Sequence, residues 1–192
     1  MSIKPKIAIF ASGYGSNFEA IARATLCGEI DAEVALLVCD KPSARVVEVA
    51  KELGVESFVF SARDFSSKAE YEAHIVEQLV AAEAELVCLA GYMRIVGDTL
   101  LKAYTGRIIN LHPSLLPSFK GAHAIKDALE YGVKVFGATI HYVDESLDGG
   151  QIIAQQAIAY EGDDLDELSQ MIHAVEHRLY IETIKKLLKP EK

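Results

Sequence analysis

Short apolar runs and stretches of helical periodicity take turns along the whole chain. Residues 7–11, 34–39, 57–60, 86–90 and 107–111 are compact, largely apolar runs with the length expected of strands. Between them, residues 18–27, 44–53 and 68–83 carry apolar positions three and four apart, and Phe18, Ile21 and Ala22 begin the first such stripe. Gly54 stands where a C′ glycine would close the second helix. A short helical piece is expected at 100–104, a further helix at 122–131, and two longer strands at 133–143 and 151–160. The last element, 164–188, holds the stripe Leu165, Leu168, Ile172, Val175 and Leu179, and Asp164 with Glu167 three residues later has the form of a capping box.

This alternation predicts an α/β fold: a doubly wound, mostly parallel twisted sheet, its strands apolar on both faces and its helices packed on both sides. No repeat, low-complexity tract or linker interrupts the pattern, so residues 1–192 are expected to form a single domain. Ligands bind such sheets outside the carboxyl ends of the strands, beside a topological switch point. The chemistry-bearing stretches are expected to meet there.

Composition narrows the partners. A formal net charge of −9 repels phosphate backbones and anionic lipid at long range, which argues against nucleic acid and membrane surfaces. No apolar run approaches a membrane span, and the N-terminus has no signal-peptide pattern, so a cytoplasmic protein is expected. Cys27, Cys39 and Cys88 lie far apart in apolar surroundings and read as buried structural thiols of a reducing compartment. His123, His141, His173 and His177 form no metal-ligand pattern, so no metal is expected, and His173 and His177 read as the polar flank of a helix.

Three stretches carry candidate chemistry. In the run from Asn110 to Pro117, a carboxamide and an imidazole (Asn110 and His112) stand two apart at a strand end, on the same side of an extended chain. Pro113 and Pro117 then stop the strand and stiffen the turn. The loop Gly13-Tyr14-Gly15-Ser16-Asn17 follows the first strand, where Ser16 or Asn17 can cap the helix and its free N–H groups favour an anion. A dinucleotide fingerprint competes there, with Asp40 in the ribose position, but Phe18 replaces its third glycine. Asp148, followed by Gly149 and Gly150, is free to fold close against a neighbour, and a carboxylate beside an imidazole orients it or favours its charged form. An Asn–His–Asp trio suits acyl transfer, and with no G-x-S-x-G motif a substrate amine is the expected nucleophile.

Together these stretches, with Leu89-Ala90-Gly91-Tyr92-Met93-Arg94-Ile95, Gly121-Ala122-His123 and Leu147-Asp148-Gly149-Gly150, resemble the folate-dependent formyltransferases over essentially the whole chain. The Gly15-Ser16-Asn17 loop is similar to that of the purine-synthesis branch. The resemblance implies formyl transfer from 10-formyltetrahydrofolate, a cosubstrate, to the amine of glycinamide ribonucleotide in de novo purine synthesis. It implies Asn110, His112 and Asp148 as the catalytic trio and Gly15, Ser16, Asn17 and Glu176 as ribonucleotide contacts. For the folate it implies Lys68, Met93, Arg94, Ile95, Val96, Asn110, Asp144 and Asp148, with the 144–148 loop closing over the pterin. Tyr14 occupies a position that is variable and often polar in that family. Amino-sugar formyltransferases share the Asn-x-His core, whereas the formyltetrahydrofolate hydrolase would add a domain before the first strand and the methionyl-tRNA enzyme a basic C-terminal one. Either a monomer or a homodimer agrees with these features.

Overall fold

Seven strands and six helices alternate along residues 4–189, the part of the chain described by the computed structural model. The first half runs β1 (Lys6–Phe10), α1 (Ser16–Leu26), β2 (Glu33–Cys39), α2 (Arg45–Glu52), β3 (Ser57–Val59), a 3₁₀ turn (Ala62–Asp64), α3 (Lys68–Ala81) and β4 (Leu86–Leu89). The second half runs α4 (Asp98–Ala103), β5 (Ile108–His112), α5 (Ala124–Tyr131), β6 (Val135–Tyr142), β7 (Ile152–Ala159) and α6 (Leu165–Leu187). One sheet holds all seven strands in the order β3-β2-β1-β4-β5-β6-β7. The first five are parallel, and β6 and β7 run antiparallel at one side.

Strand order reverses between β1 and β4, which makes their carboxyl ends the switch point. On one face Phe18, Ile21, Val46, Val49, Val175, Tyr180 and Ile184 from α1, α2 and α6 pack on Ile7, Ile9, Ile109, Leu111 and Ile140. On the other, Tyr71, Ile75, Leu79 and Leu100 from α3 and α4 pack on Ala8, Phe10, Val87, Leu89 and Ile108. Because alternate strand residues point to opposite faces, Asn110 and His112 share the second face with Ile108. Beyond Ile108 that face is covered by loops: Leu115 packs on Gly137, and the Leu116 amide donates to Thr139 Oγ1 at 3.1 Å.

Three local expectations change. β7 is largely exposed, with polar Gln155 and Gln156, because it closes the sheet as an edge strand and has no neighbour on its outer side. Asp164 caps α6 through the amides of Asp166 and Glu167, but the reciprocal arm of the capping box is replaced. The Tyr160 hydroxyl accepts from the Asp164 amide at 3.1 Å and engages Glu167 Oε2 at 2.7 Å, drawing that carboxylate away. Of the three thiols, Cys39 and Cys88 are buried but Cys27, the C-cap of α1, is exposed. Gly54 has the expected positive φ, +71°.

Candidate active site

The switch point is built by two loops that hold each other. The Ser12 amide donates to the Gly91 carbonyl at 3.1 Å, and the Met93 amide donates to Ser12 Oγ at 2.9 Å. Ser12 in turn donates to Asp40 Oδ1, while Arg94 Nε donates to Asp40 Oδ2 at 2.8 Å. Both Asp40 oxygens are therefore engaged inside the protein, and the carboxylate is nearly inaccessible. A ribose-binding role for Asp40, and with it the dinucleotide alternative, fails on this point.

The glycine loop is not capped as expected. Ser16 is the first residue of α1 and Asn17 the second, while Gly15 occupies the N-cap with φ +85° and no side-chain cap. A Cβ at Gly15 would lie 2.5 Å from Val46 Cγ2, so close packing on α2 and the left-handed conformation both require glycine. The opening amides of α1 thus keep no side-chain partner from a cap, the condition under which a helix start attracts an anion. Asn17 is turned sideways: its Nδ2 donates to Glu176 Oε2 at 3.0 Å, and its Oδ1 is buried without a partner. Glu176 is buried on α6 and also receives His173 Nδ1 at 2.9 Å. This hydrogen bond holds the His173 imidazole above its ordinary range, whereas burial pushes His177 down. His173 therefore pairs with Glu176, while His177 keeps its Nε2 buried without a partner, so the two are more than a polar flank.

Asn110, His112 and His141 stand on one face of β5 and β6. Asn110 pairs directly with His141 across the antiparallel ladder, and its Nδ2 lies 3.1 Å from His141 Nε2. His141 Nδ1 lies 2.8 Å from the Tyr142 carbonyl, which can only accept, so the proton sits on Nδ1 and Nε2 accepts from the carboxamide. Burial holds His141 below the ordinary imidazole range, which keeps it neutral for this task. His112 is buried; its Nε2 donates to the Phe119 carbonyl at 2.8 Å and its Nδ1 faces Asp148 Oδ2 at 3.6 Å. Asp148 Oδ2 also accepts the Gly121 amide at 2.9 Å, and Oδ1 lies 4.0 Å from His141 Nε2.

One expected site element takes a different route. Because β6 is antiparallel, its end lies opposite Ile109, and the 143–150 loop starts from the edge of the sheet away from the other loops. It turns back over the Asn110 face to bring Asp148 to His112. Gly150 presses on the Tyr142 carbonyl so closely that no Cβ fits, which is what makes this reversal possible. Asp148 itself has φ +46°, a conformation Asp tolerates better than most residues.

The remaining expected residues fall into distinct groups. Met93 and Ile95 are exposed apolar side chains on the loop after β4. Val96 is buried in the core under α3 and α4, and Arg94 is drawn inward by Asp40. Lys68 opens α3 beside this loop, packing on Gly97, with Nζ 4.0 Å from the buried Glu72 carboxylate. Glu72 accepts the Gly97 amide at 2.6 Å and fixes the far end of the loop. Asp144 closes its own turn by accepting the Ser146 hydroxyl and, at 2.8 Å, the Ser146 amide, which together hold its carboxyl below the usual range. His141 is the site residue that sequence reasoning passed over. Among the described residues no group of three or more His, Cys, Asp or Glu is placed to hold a metal ion, and no helix is long and apolar enough to cross a membrane.

A neutral, buried His141 has a pH consequence. With its folded pKa depressed, its contribution to stability is complete above the unfolded value of about 6.5 and is lost as pH falls below it. The bond to the Tyr142 carbonyl, then Asp148 and Asp144, oppose the depression and His112 reinforces it, but burial dominates. His141→Gln should reduce the loss of urea-unfolding midpoint between pH 7 and pH 5. It should not abolish that loss, since His177 is depressed in the same direction.

A carboxamide, buried imidazoles and a carboxylate thus gather on the sheet that also presents the uncapped start of α1, a set of groups suited to group transfer. The chain belongs to the formyl transferase family, whose model matches residues 5–184. It is 54% identical over 184 residues to the phosphoribosylglycinamide formyltransferase of Bacillus subtilis (strain 168), covering 95% of this chain and 94% of that one. The crystal structure of phosphoribosylglycinamide formyltransferase from Bacillus halodurans matches with a TM-score of 0.93 at 51% identity, over 97% of both chains. The trifunctional purine biosynthetic protein adenosine-3 of Drosophila melanogaster is 41% identical over 91% of this chain, which spans 13% of that protein.

Proposed function

We propose that this chain transfers the formyl group of 10-formyltetrahydrofolate to the amine of glycinamide ribonucleotide, in purine biosynthesis. The observation that carries the reading is the meeting of His112 with Asp148 at 3.6 Å, beside the carboxamide of Asn110, on the sheet edge that also presents the Gly15–Asn17 loop. β1 and β5 are two strand spacings apart, about 10 Å. A ribosyl phosphate with a glycinamide arm has its anion and its amine at its two ends, and suits such a separation. The ribonucleotide phosphate is assigned to Gly15, Ser16 and Asn17, and its ribose to Glu176. Met93, Ile95 and the backbone through Val96 are assigned to the folate ring, with Lys68 toward its tail.

The amine nitrogen attacks the formyl carbon, and the carbonyl electrons move onto oxygen. Asn110, with one amide N–H held by His141, directs its other N–H at that oxyanion together with protonated His112. Because Nε2 of His112 is committed to Phe119, Nδ1 is the nitrogen left to exchange a proton, and Asp148 stabilises the charge that results. The C–N bond to tetrahydrofolate then breaks, and the proton given up by the amine ends on the departing nitrogen.

The test is direct. Purified protein with both substrates should release tetrahydrofolate and formylated ribonucleotide in equal amounts; no turnover would sink the reading. The pair Ser16→Ala, Asn17→Ala should raise KM for the ribonucleotide about tenfold, the worth of one charge-assisted hydrogen bond, with KM for the folate little changed. Equal shifts in both would refute the assignment of the loop.

A further inference from the structure

The glycine loop carries an exposed aromatic that formyl transfer does not require. Tyr14 is 68% exposed, yet one face of its ring carries a cation: the Arg45 guanidinium carbon lies 4.2 Å from the ring centroid. Arg45 is the first residue of α2, and that helix is fastened to the loop at three further points. The Val46 amide donates to the Gly13 carbonyl at 3.2 Å, Val46 packs on Gly15, and Arg45 Nη1 reaches the Tyr14 carbonyl at 3.4 Å. The guanidinium is therefore anchored within one peptide of the N-cap of α1.

Its own charge is poorly answered. Its carboxylate neighbour is Glu19, 3.7 Å away, and Glu19 is bonded more tightly to Arg23, at 2.8 and 3.0 Å. Arg45 has five N–H donors in a planar fork suited to phosphate, and few are used here. The same position sets Glu19, an acid in the first turn of α1, against an anion bound at that helix start. A cation between them removes that repulsion.

We propose that Arg45, held in place by the ring of Tyr14, binds the phosphoryl group of the ribonucleotide and sets the preference of this chain for a phosphorylated amine. The inference rests on the formyl-transfer reading for its substrate, but inorganic phosphate tests the subsite independently of turnover. Tyr14 acts through Arg45 as a positioning residue: stacking fixes a long side chain whose ordering would otherwise oppose binding.

Three variants separate binding from support of the fold. Arg45→Met should raise KM for the ribonucleotide about tenfold, leave kcat and the folate KM unchanged, and weaken competitive inhibition by inorganic phosphate by the same factor. Arg45→Lys should recover much of that loss, since it restores the charge without the fork. Tyr14→Asn should give an intermediate effect, and Tyr14→Phe should match wild type. Unchanged phosphate inhibition in Arg45→Met would overturn the proposal. So would a loss that Lys does not relieve and that follows a fall in thermal midpoint, for then Arg45 only supports the loop. If wild-type protein binds phosphate through Arg45 but does not formylate the ribonucleotide, the substrate assignment fails and the anion subsite stands.

Discussion

Replacing His112 by alanine should lower kcat by about 10²–10³, the usual consequence of removing one oxyanion donor, while KM for either substrate moves little. The site explains why the loss should fall on the chemical step. His112 is almost wholly buried and is oriented from both ends, by the Phe119 carbonyl at 2.8 Å and by Asp148 at 3.6 Å. Such a ring contributes little contact area to a bound substrate and much to where a proton or a charge can reside. Alanine also leaves the Phe119 carbonyl without its donor, so some stability should be lost, on the order of 1–3 kcal/mol. His112→Gln controls for this, because its amide can still donate to Phe119. A Gln variant as slow as the Ala variant, but with a wild-type thermal midpoint, places the defect in proton exchange. Near wild-type turnover in both would remove His112 from the mechanism.

The parts of this site that sequence reasoning reaches are those set by local chain geometry. Asn110 and His112 share a face because any strand alternates, and Pro113 ends that strand whatever surrounds it. Gly149 and Gly150 announce a tight reversal near Asp148 because little else tolerates the approach of Gly150 to Tyr142. The parts it misses depend on which strand lies beside which, and in what register. His141 sits in an apolar strand and shows no partner until β6 is paired antiparallel with β5, opposite Asn110. The direction of β6 itself is not written in its apolar run, since either direction buries the same residues. A shift in the β6–β7 pairing at Ile140/His141 marks the same place, again a feature of the ladder. The ion pair of Arg94 with Asp40, 54 residues away, is likewise invisible until the loops after β1, β2 and β4 are brought together. The cap of α1 is a similar case: Ser16 and Asn17 have the preferred chemistry, but contact with Val46 puts Gly15 at the N-cap instead.

Asp148→Asn should reduce kcat by at least about 10²-fold with no comparable change in fold stability, and this pairing makes the carboxylate's charge separable from its structural work. Asp148 does two things at once. Its Oδ2 accepts the Gly121 amide at 2.9 Å, which ties the 143–150 loop to the loop after β5, and its charge faces Nδ1 of His112. Asparagine keeps the first function: its amide oxygen can take the Gly121 donor, and it accepts a positive φ such as the +46° found here. It cannot keep the second. The oxygen that takes the Gly121 amide is also the one that faces Nδ1, so in the Asn variant an uncharged amide oxygen faces the ring and the amide nitrogen lies on the His141 side. The imidazolium needed beside the oxyanion would then lose its counter-charge in a buried site, where screening is weakest. Asp148→Ala removes both functions, so it should be no faster than the Asn variant and less stable in urea unfolding. An Asn variant with wild-type kcat would show that Asp148 holds the two loops together and no more, leaving proton exchange to His112 alone.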